Sequence, residues 1–136
     1  MIILDANVLI AFLDEQDPHH RDSKDLIEAN FVEGFGVSAV TLAEALVYPA
    51  KAGKEDRALF SIRRLGVKTI GVEPDDGMSI AHLRANHTIR MPDALVLLCA
   101  LPTGSRIATF DRGLKTAAHE EGLGTVRSPD PLRDAR

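Results

Sequence analysis

The chain has 136 residues, 45% hydrophobic and 26% charged, the make-up of one ordinary folded domain that buries its own core. One cysteine excludes an internal disulfide or a multi-cysteine zinc site, and 4% aromatics without tryptophan exclude an aromatic platform for stacking bases. The formal net charge of −4 lacks the broad basic footprint of a general nucleic-acid binder.

In chain order, Ile2 to Leu4 reads as a buried strand. Asp5 and Asn7 interrupt the apolar opening and no basic leader precedes it, so a signal peptide is not expected and a reducing cytoplasm is. A short helix follows over Val8 to Leu13, with Asn7 as N-cap. His20 to Phe31 reads as a helix with Leu26, Ile27, Asn30 and Phe31 on one face, ended by Gly34 and Gly36. Phe35 to Ser38 is a second short strand. Leu42 to Tyr48 is helical and stopped by Pro49. Glu55 to Leu65 is helical, with Ala58, Leu59, Ile62 and Leu65 in register. Val67 to Val72 is a strand, Asp75 to Asn86 a helix, and Asp93 to Leu101 a buried helix. The unbroken apolar run Ala94 to Leu101 is eight residues, far short of the ~20 that cross a membrane. Ile107 to Phe110 is a strand, Leu114 to Glu121 a helix closed by Gly122, and Thr125 to Arg127 a last strand. Residues 128–136 are proline-rich, charged and poor in apolar side chains, and read as a surface tail on a domain spanning 1–127.

Strands alternating with helices imply an α/β fold: a central parallel sheet with helices on both faces. Ligands in such sheets bind beyond the carboxyl ends of the strands. Four acids map to that edge. Asp5 follows the first strand, Glu44 lies one turn beyond the second, Asp93 opens the buried helix, and Asp111 follows the strand that begins at Ile107. Each has an ordinary local explanation. Thr41 and Glu44 match a T-x-x-E capping box, Asp93 suits a helix first turn, Asp111 can cap the next helix, and Asp5 can close a turn.

Jointly the local explanations weaken. Two unit charges 4 Å apart repel by about 4 kcal/mol at an effective dielectric of 20. Clustered carboxylates therefore take up protons or a cation. Oxygen-only ligation suits Mg²⁺ or Mn²⁺ better than zinc, and such ions support hydrolysis of phosphodiesters or phosphoesters. Setting these four acids aside leaves sixteen acids against sixteen bases, so contacts to a nucleic acid would rest on local patches.

The segments IILDANVLIAFLD, VSAVTLAEALVYP, RMPDALVLLCAL and IATFDRGLK, in this order, resemble the PIN-domain ribonucleases. More narrowly, they resemble the small VapC-type toxins of toxin–antitoxin pairs. The resemblance runs from Met1 to about Val126. It implies a helix-flanked parallel sheet, RNA cleavage at an acidic Mg²⁺ or Mn²⁺ site, a homodimer, and a VapB-type antitoxin partner. By that likeness Asp5 and Asp93 are the closest metal ligands. Glu44 ligates directly or through water, and Asp111 holds a second metal or water. Asn7, Ser38 and Thr109 fall on accessory polar positions. Some relatives carry a further acid two or three residues past Asp111, where this chain has Gly113 and Leu114, so a second metal would lack that donor.

Other features read as structural. His19 and His20 are adjacent and cannot share a helix face, and His82 and His87 are not an i, i+4 pair. Cys99 sits in an apolar run as a small hydrophobe. Among basic residues near the later acids (Arg84, Arg90, Arg106, Arg112 and Lys115), Arg112 and Lys115 are the expected phosphate contacts, as neighbours of Asp111. Two other readings fit part of the pattern: a small phosphohydrolase with Asp5 as nucleophile, and a non-catalytic RNA- or protein-binding scaffold.

Overall fold

Alternation along strands of three or four residues decides the architecture. In a computed structural model describing residues 1–127, β1 (Ile2–Leu4) is fully buried on both sides. Successive side chains of a strand point to opposite faces. Accordingly Ile2 and Leu4 join one apolar core while Ile3 joins another.

The elements follow as α1 (Ala6–Leu13), α2 (His20–Ala29), β2 (Phe35–Ser38), α3 (Ala39–Lys51), α4 (Glu55–Arg63), β3 (Lys68–Ile70), α5 (Asp76–Asn86), α6 (Met91–Ala100), β4 (Arg106–Ala108) and α7 (Arg112–Glu120). The four strands lie in the order β3-β2-β1-β4, and every pair is parallel. Ile2 pairs with Phe35 on one side and Arg106 on the other. One face carries Ile2, Leu4, Phe35, Val37 and Ala108, covered by apolar residues of α1 to α4 such as Leu9, Leu26, Ala45 and Ile62. The other carries Ile3 and Ile107, covered by α5, α6 and α7 through Leu83, Leu97 and Leu114. The expected α/β sandwich, a parallel sheet with helices on both faces, is the one observed.

Gly36 belongs to this second face. A Cβ there would come within 2.9 Å of Met1 Sδ and 3.2 Å of both Ile3 Cδ1 and Ile70 Cδ1. The missing side chain lets the isoleucines of β1 and β3 close over β2. No helix among the described residues is long and apolar enough to cross a membrane.

Several boundaries differ from expectation. Helix α1 begins at Ala6 and its N-cap is Asp5, not Asn7. Helix α2 ends at Ala29, and Phe31–Glu33 forms a separate 3₁₀ turn. Helix α3 begins at Ala39 and runs through Pro49 to Lys51. Proline that close to a helix end forfeits one backbone bond, to the Ala45 carbonyl, without breaking a long following segment. Helix α6 begins at Met91 rather than Asp93, because proline is tolerated in a first turn. Helix α4 ends at Arg63, and β3 shrinks to three residues that are mostly exposed, as suits an edge strand. The strand expected over Thr125 to Arg127 is reduced to a single parallel bridge between Thr125 and Ile107. The tail expected over 128–136 lies outside the described residues.

Candidate active site

Parallel strands direct all their carboxyl ends to one edge, and the loops there converge. Asp5 leaves β1 directly into α1. Its backbone N–H donates to the Ala108 carbonyl of β4 at 2.9 Å, so the sheet itself fixes it. Its side chain is 7% exposed. Oδ1 accepts from the Ala6 N–H at 2.8 Å, which caps α1. Oδ2 accepts from the Thr109 hydroxyl at 2.6 Å and from the Asn7 amide at 3.2 Å.

Thr109 and Asn7 tie two strand ends together. Asn7 Nδ2 also donates to Thr109 Oγ1 at 3.2 Å, and its Oδ1 accepts from the Phe110 N–H at 3.2 Å. Thr109 Oγ1 accepts from the Asp111 N–H at 3.0 Å. One buried threonine hydroxyl therefore fixes both the Asp5 carboxylate and the backbone of Asp111. Asp111 itself is exposed, and its Oδ1 accepts from the Gly113 N–H at 3.3 Å to start α7.

Asp93 is 6% exposed, on the first turn of α6. Its Oδ2 accepts from the Arg90 backbone N–H at 3.1 Å. The ordinary helix-start role is thus real for Asp5, Asp93 and Asp111. For Asp93 and Asp111 it engages one carboxylate oxygen only, and the other makes no hydrogen bond among the described residues.

Glu44 is different. The expected T-x-x-E box does not form, because α3 is capped one turn earlier by Ser38. Ser38 Oγ accepts from the Thr41 N–H at 3.0 Å and donates to Thr41 Oγ1 at 3.2 Å. Glu44 therefore sits in the second turn of α3, half-buried, with no capping duty.

Asp5 and Glu44 both feel neighbouring carboxylates. Burial is the largest influence on Asp5 and raises its pKa from 3.8, against the lowering effect of Thr109 and Ala6; the charges of Asp93 and Asp111 raise it further. Burial also raises Glu44 from 4.5, with Asp5 and Asp93 adding to the rise and Arg90 opposing it. Asp93 and Asp111 thus add to the cost of ionising Asp5, and Asp5 and Asp93 to that of ionising Glu44. Among the described residues, no three His, Cys, Asp or Glu side chains are drawn tightly enough to form a ready-made metal cage. The fit to a hard divalent cation rests on the donor set instead: oxygens only, mutually repelling, two of the carboxylates buried.

The sequence matches the PIN domain family over residues 2–120. The chain belongs to the PIN domain family. Solved structures agree on the fold. FitAcB from Neisseria gonorrhoeae superposes with a TM-score of 0.73 at 22% identity, covering 93% of this chain and 97% of that one. The Mycobacterium tuberculosis toxin VapC20, described as cleaving the sarcin–ricin loop, gives 0.73 at 17% identity, covering 93% and 99%. A toxin–antitoxin complex from Klebsiella pneumoniae gives 0.69 at 22% identity, covering 85% and 90%. Among curated proteins, none matches.

Within this PIN domain the remaining candidates sort by place. Arg112 and Lys115 lie in the first turn of α7 beside Asp111, with Arg112 exposed and Lys115 half-buried. Arg106 was expected near the later acids. It instead begins β4, at the opposite edge of the sheet, and pairs with Glu33 at 2.7 Å. Strand direction, not nearness in sequence, decides that. His19 stacks on Phe110 with ring centroids 4.4 Å apart, and His20 bonds the Ala11 carbonyl at 2.7 Å. His87, nearly enclosed, donates from Nδ1 to Glu120 at 2.9 Å. Burial pushes the Cys99 thiol up to about 11, with Asp76 adding to the rise, so it is no activated nucleophile. Sequence reasoning passed over Arg90 in favour of residues adjacent to Asp111. Its R-x-x-D spacing to Asp93 was the signal available.

Proposed function

We propose that this PIN domain is a metal-dependent endoribonuclease that hydrolyses RNA phosphodiester bonds, the toxin component of a VapC-type toxin–antitoxin pair. The carrying observation is the convergence of Asp5, Glu44, Asp93 and Asp111 at the carboxyl edge, where burial and mutual repulsion raise Asp5 and Glu44. That arrangement is costly in an isolated protein and useful beside a cation.

In this reading Asp5 and Asp93 hold Mg²⁺ or Mn²⁺ most closely, with Glu44 and Asp111 completing the oxygen set. When bound, such an ion lowers the pKa of water and neutralises charge growing on a phosphoryl group. The protein's own work is positional. Thr109 and Asn7 hold the Asp5 carboxylate in one orientation by hydrogen bonds of 2.6 and 3.2 Å. Ser38 fixes the start of α3 and so the placement of Glu44, whose raised pKa suits it to accept a proton from attacking water. Arg112 and Lys115 contact substrate phosphates. Asp5 acting as a covalent nucleophile is a poorer reading, because the side chain two residues on that contacts it, Asn7, is an amide and cannot serve as a general acid.

The likeness to toxin–antitoxin structures supports an antitoxin partner of VapB type; a cytoplasmic homodimer completes the proposal. The test is incubation of total cellular RNA with purified, antitoxin-free protein in Mn²⁺, Mg²⁺ or EDTA. Discrete fragments that need metal and vanish in Asp5→Asn and Asp93→Asn are the expected result. RNA that binds but is never cut under any metal condition would favour a scaffold.

A further inference from the structure

An acidic site must hold a polyanion, and a cation beside the carboxylates makes that possible. Arg90 is the residue so placed. It precedes α6, and its Nε lies 3.9 Å from Asp93 Oδ2. Its side chain nevertheless remains 79% exposed. Among the described residues it is the one arginine or lysine in an ion pair with any of the four acids.

The segment carrying Arg90 is fastened rather than loose. His87 is clasped by Glu120 at 2.9 Å, with Glu121 at 3.6 Å on its other nitrogen. Arg84 Nε donates to the Ile89 carbonyl at 3.4 Å, and Ile89 packs on the core beneath α6. The Arg90 N–H is held by Asp93 itself. One carboxylate thus anchors the arginine's backbone and lies within ion-pair reach of its guanidinium. Such an arm is fixed at its base and open to solvent at its tip.

We infer that Arg90 is a substrate-binding residue, whose guanidinium grips an RNA phosphate against the acidic edge. A planar, always-charged fork suits a phosphodiester by paired hydrogen bonds, which lysine cannot reproduce. The inference rests on the ribonuclease reading and assigns its principal phosphate contact.

The experiment is fluorescence anisotropy with a labelled, mixed-sequence single-stranded RNA in EDTA, over a series of KCl concentrations, using the full chain. Arg90→Ala keeps the backbone bond to Asp93, so a folded protein is expected, checked by its melting temperature. Arg106→Ala removes the same charge at the opposite sheet edge. The expected result is about tenfold weaker binding for Arg90→Ala, with the slope of log K against log salt shallower by about 0.7. Arg90→Lys restores the slope but only part of the affinity, and Arg106→Ala matches the parent. Equal affinity and slope for Arg90→Ala and the parent would overturn the assignment while leaving the ribonuclease reading in place. No RNA binding or cleavage by the parent, in EDTA or in Mn²⁺, would overturn both.

Discussion

At the scale of single residues, the site is organised around the Thr109 hydroxyl. It donates to Asp5 at 2.6 Å and accepts from the Asp111 N–H at 3.0 Å. Thr109→Val keeps the shape but leaves Asp5 Oδ2 with a weaker partner and the Asp111 N–H without one. Unmade buried bonds of this kind cost about 1–3 kcal/mol. A fall of tenfold or more in RNA cleavage is expected, with a circular dichroism spectrum like the parent's. Full activity in Thr109→Val would show that the network does not position Asp5. Glu44 gives a pH test. Its folded pKa is raised, so the folded state holds its proton to higher pH than the unfolded chain does. Stability is therefore highest, for this group, below its ordinary value of 4.5, and falls as pH rises through the raised value. Metal-free Glu44→Gln should melt a degree or two above the parent at pH 7, and the difference should close below about pH 4. A gap that is constant with pH would contradict the proposed strain.

At the scale of elements, caps and termination explain where the sequence was readable. The apolar runs of β1, β2 and α6 announced themselves because both faces are buried. Helix starts were harder. Asp5 and Asn7 are both good caps by type, and Thr41 with Glu44 matches a box that Ser38 pre-empts by capping a turn earlier. Local pattern alone cannot choose between adjacent caps; the strand end does, because β2 stops at Ser38 and the chain turns there. Ser38→Ala should lower stability by about 1 kcal/mol in urea unfolding. It should reduce cleavage more than that loss of folded protein explains, since Glu44 depends on the first turn of α3. Ser38→Thr, which restores a hydroxyl acceptor without adding charge, should recover most of the stability. Unchanged unfolding in Ser38→Ala would remove Ser38 from this role.

At the scale of the whole molecule, the parallel sheet is what brings distant acids together. Asp5 and Asp111 are far apart in sequence, yet β1 pairs with β4 along its whole length, Ile2 to Arg106 through Leu4 to Ala108. That convergence was legible before any coordinates, since the carboxyl end of a strand can be read from its boundary. The place of Arg106 at the amino end follows from the same boundary, because it precedes Ile107; nearness in sequence to Asp111 points the wrong way. Arg90 has a local signature in its R-x-x-D spacing to Asp93, but its place beside the acids of other elements depends on α3 and α6 meeting at that edge, a tertiary fact.

The four acids, in this reading, form one cation site. That site is tested most directly by titrating Mn²⁺ into the RNA-free protein, following the free-ion signal by electron paramagnetic resonance, with Asp5→Asn, Glu44→Gln, Asp93→Asn and Asp111→Asn alongside. Saturable binding by the parent is expected, weakened in all four variants and most in Asp5→Asn and Asp93→Asn. Binding that survives unchanged in those two, or a folded parent that binds no Mn²⁺, would contradict this reading.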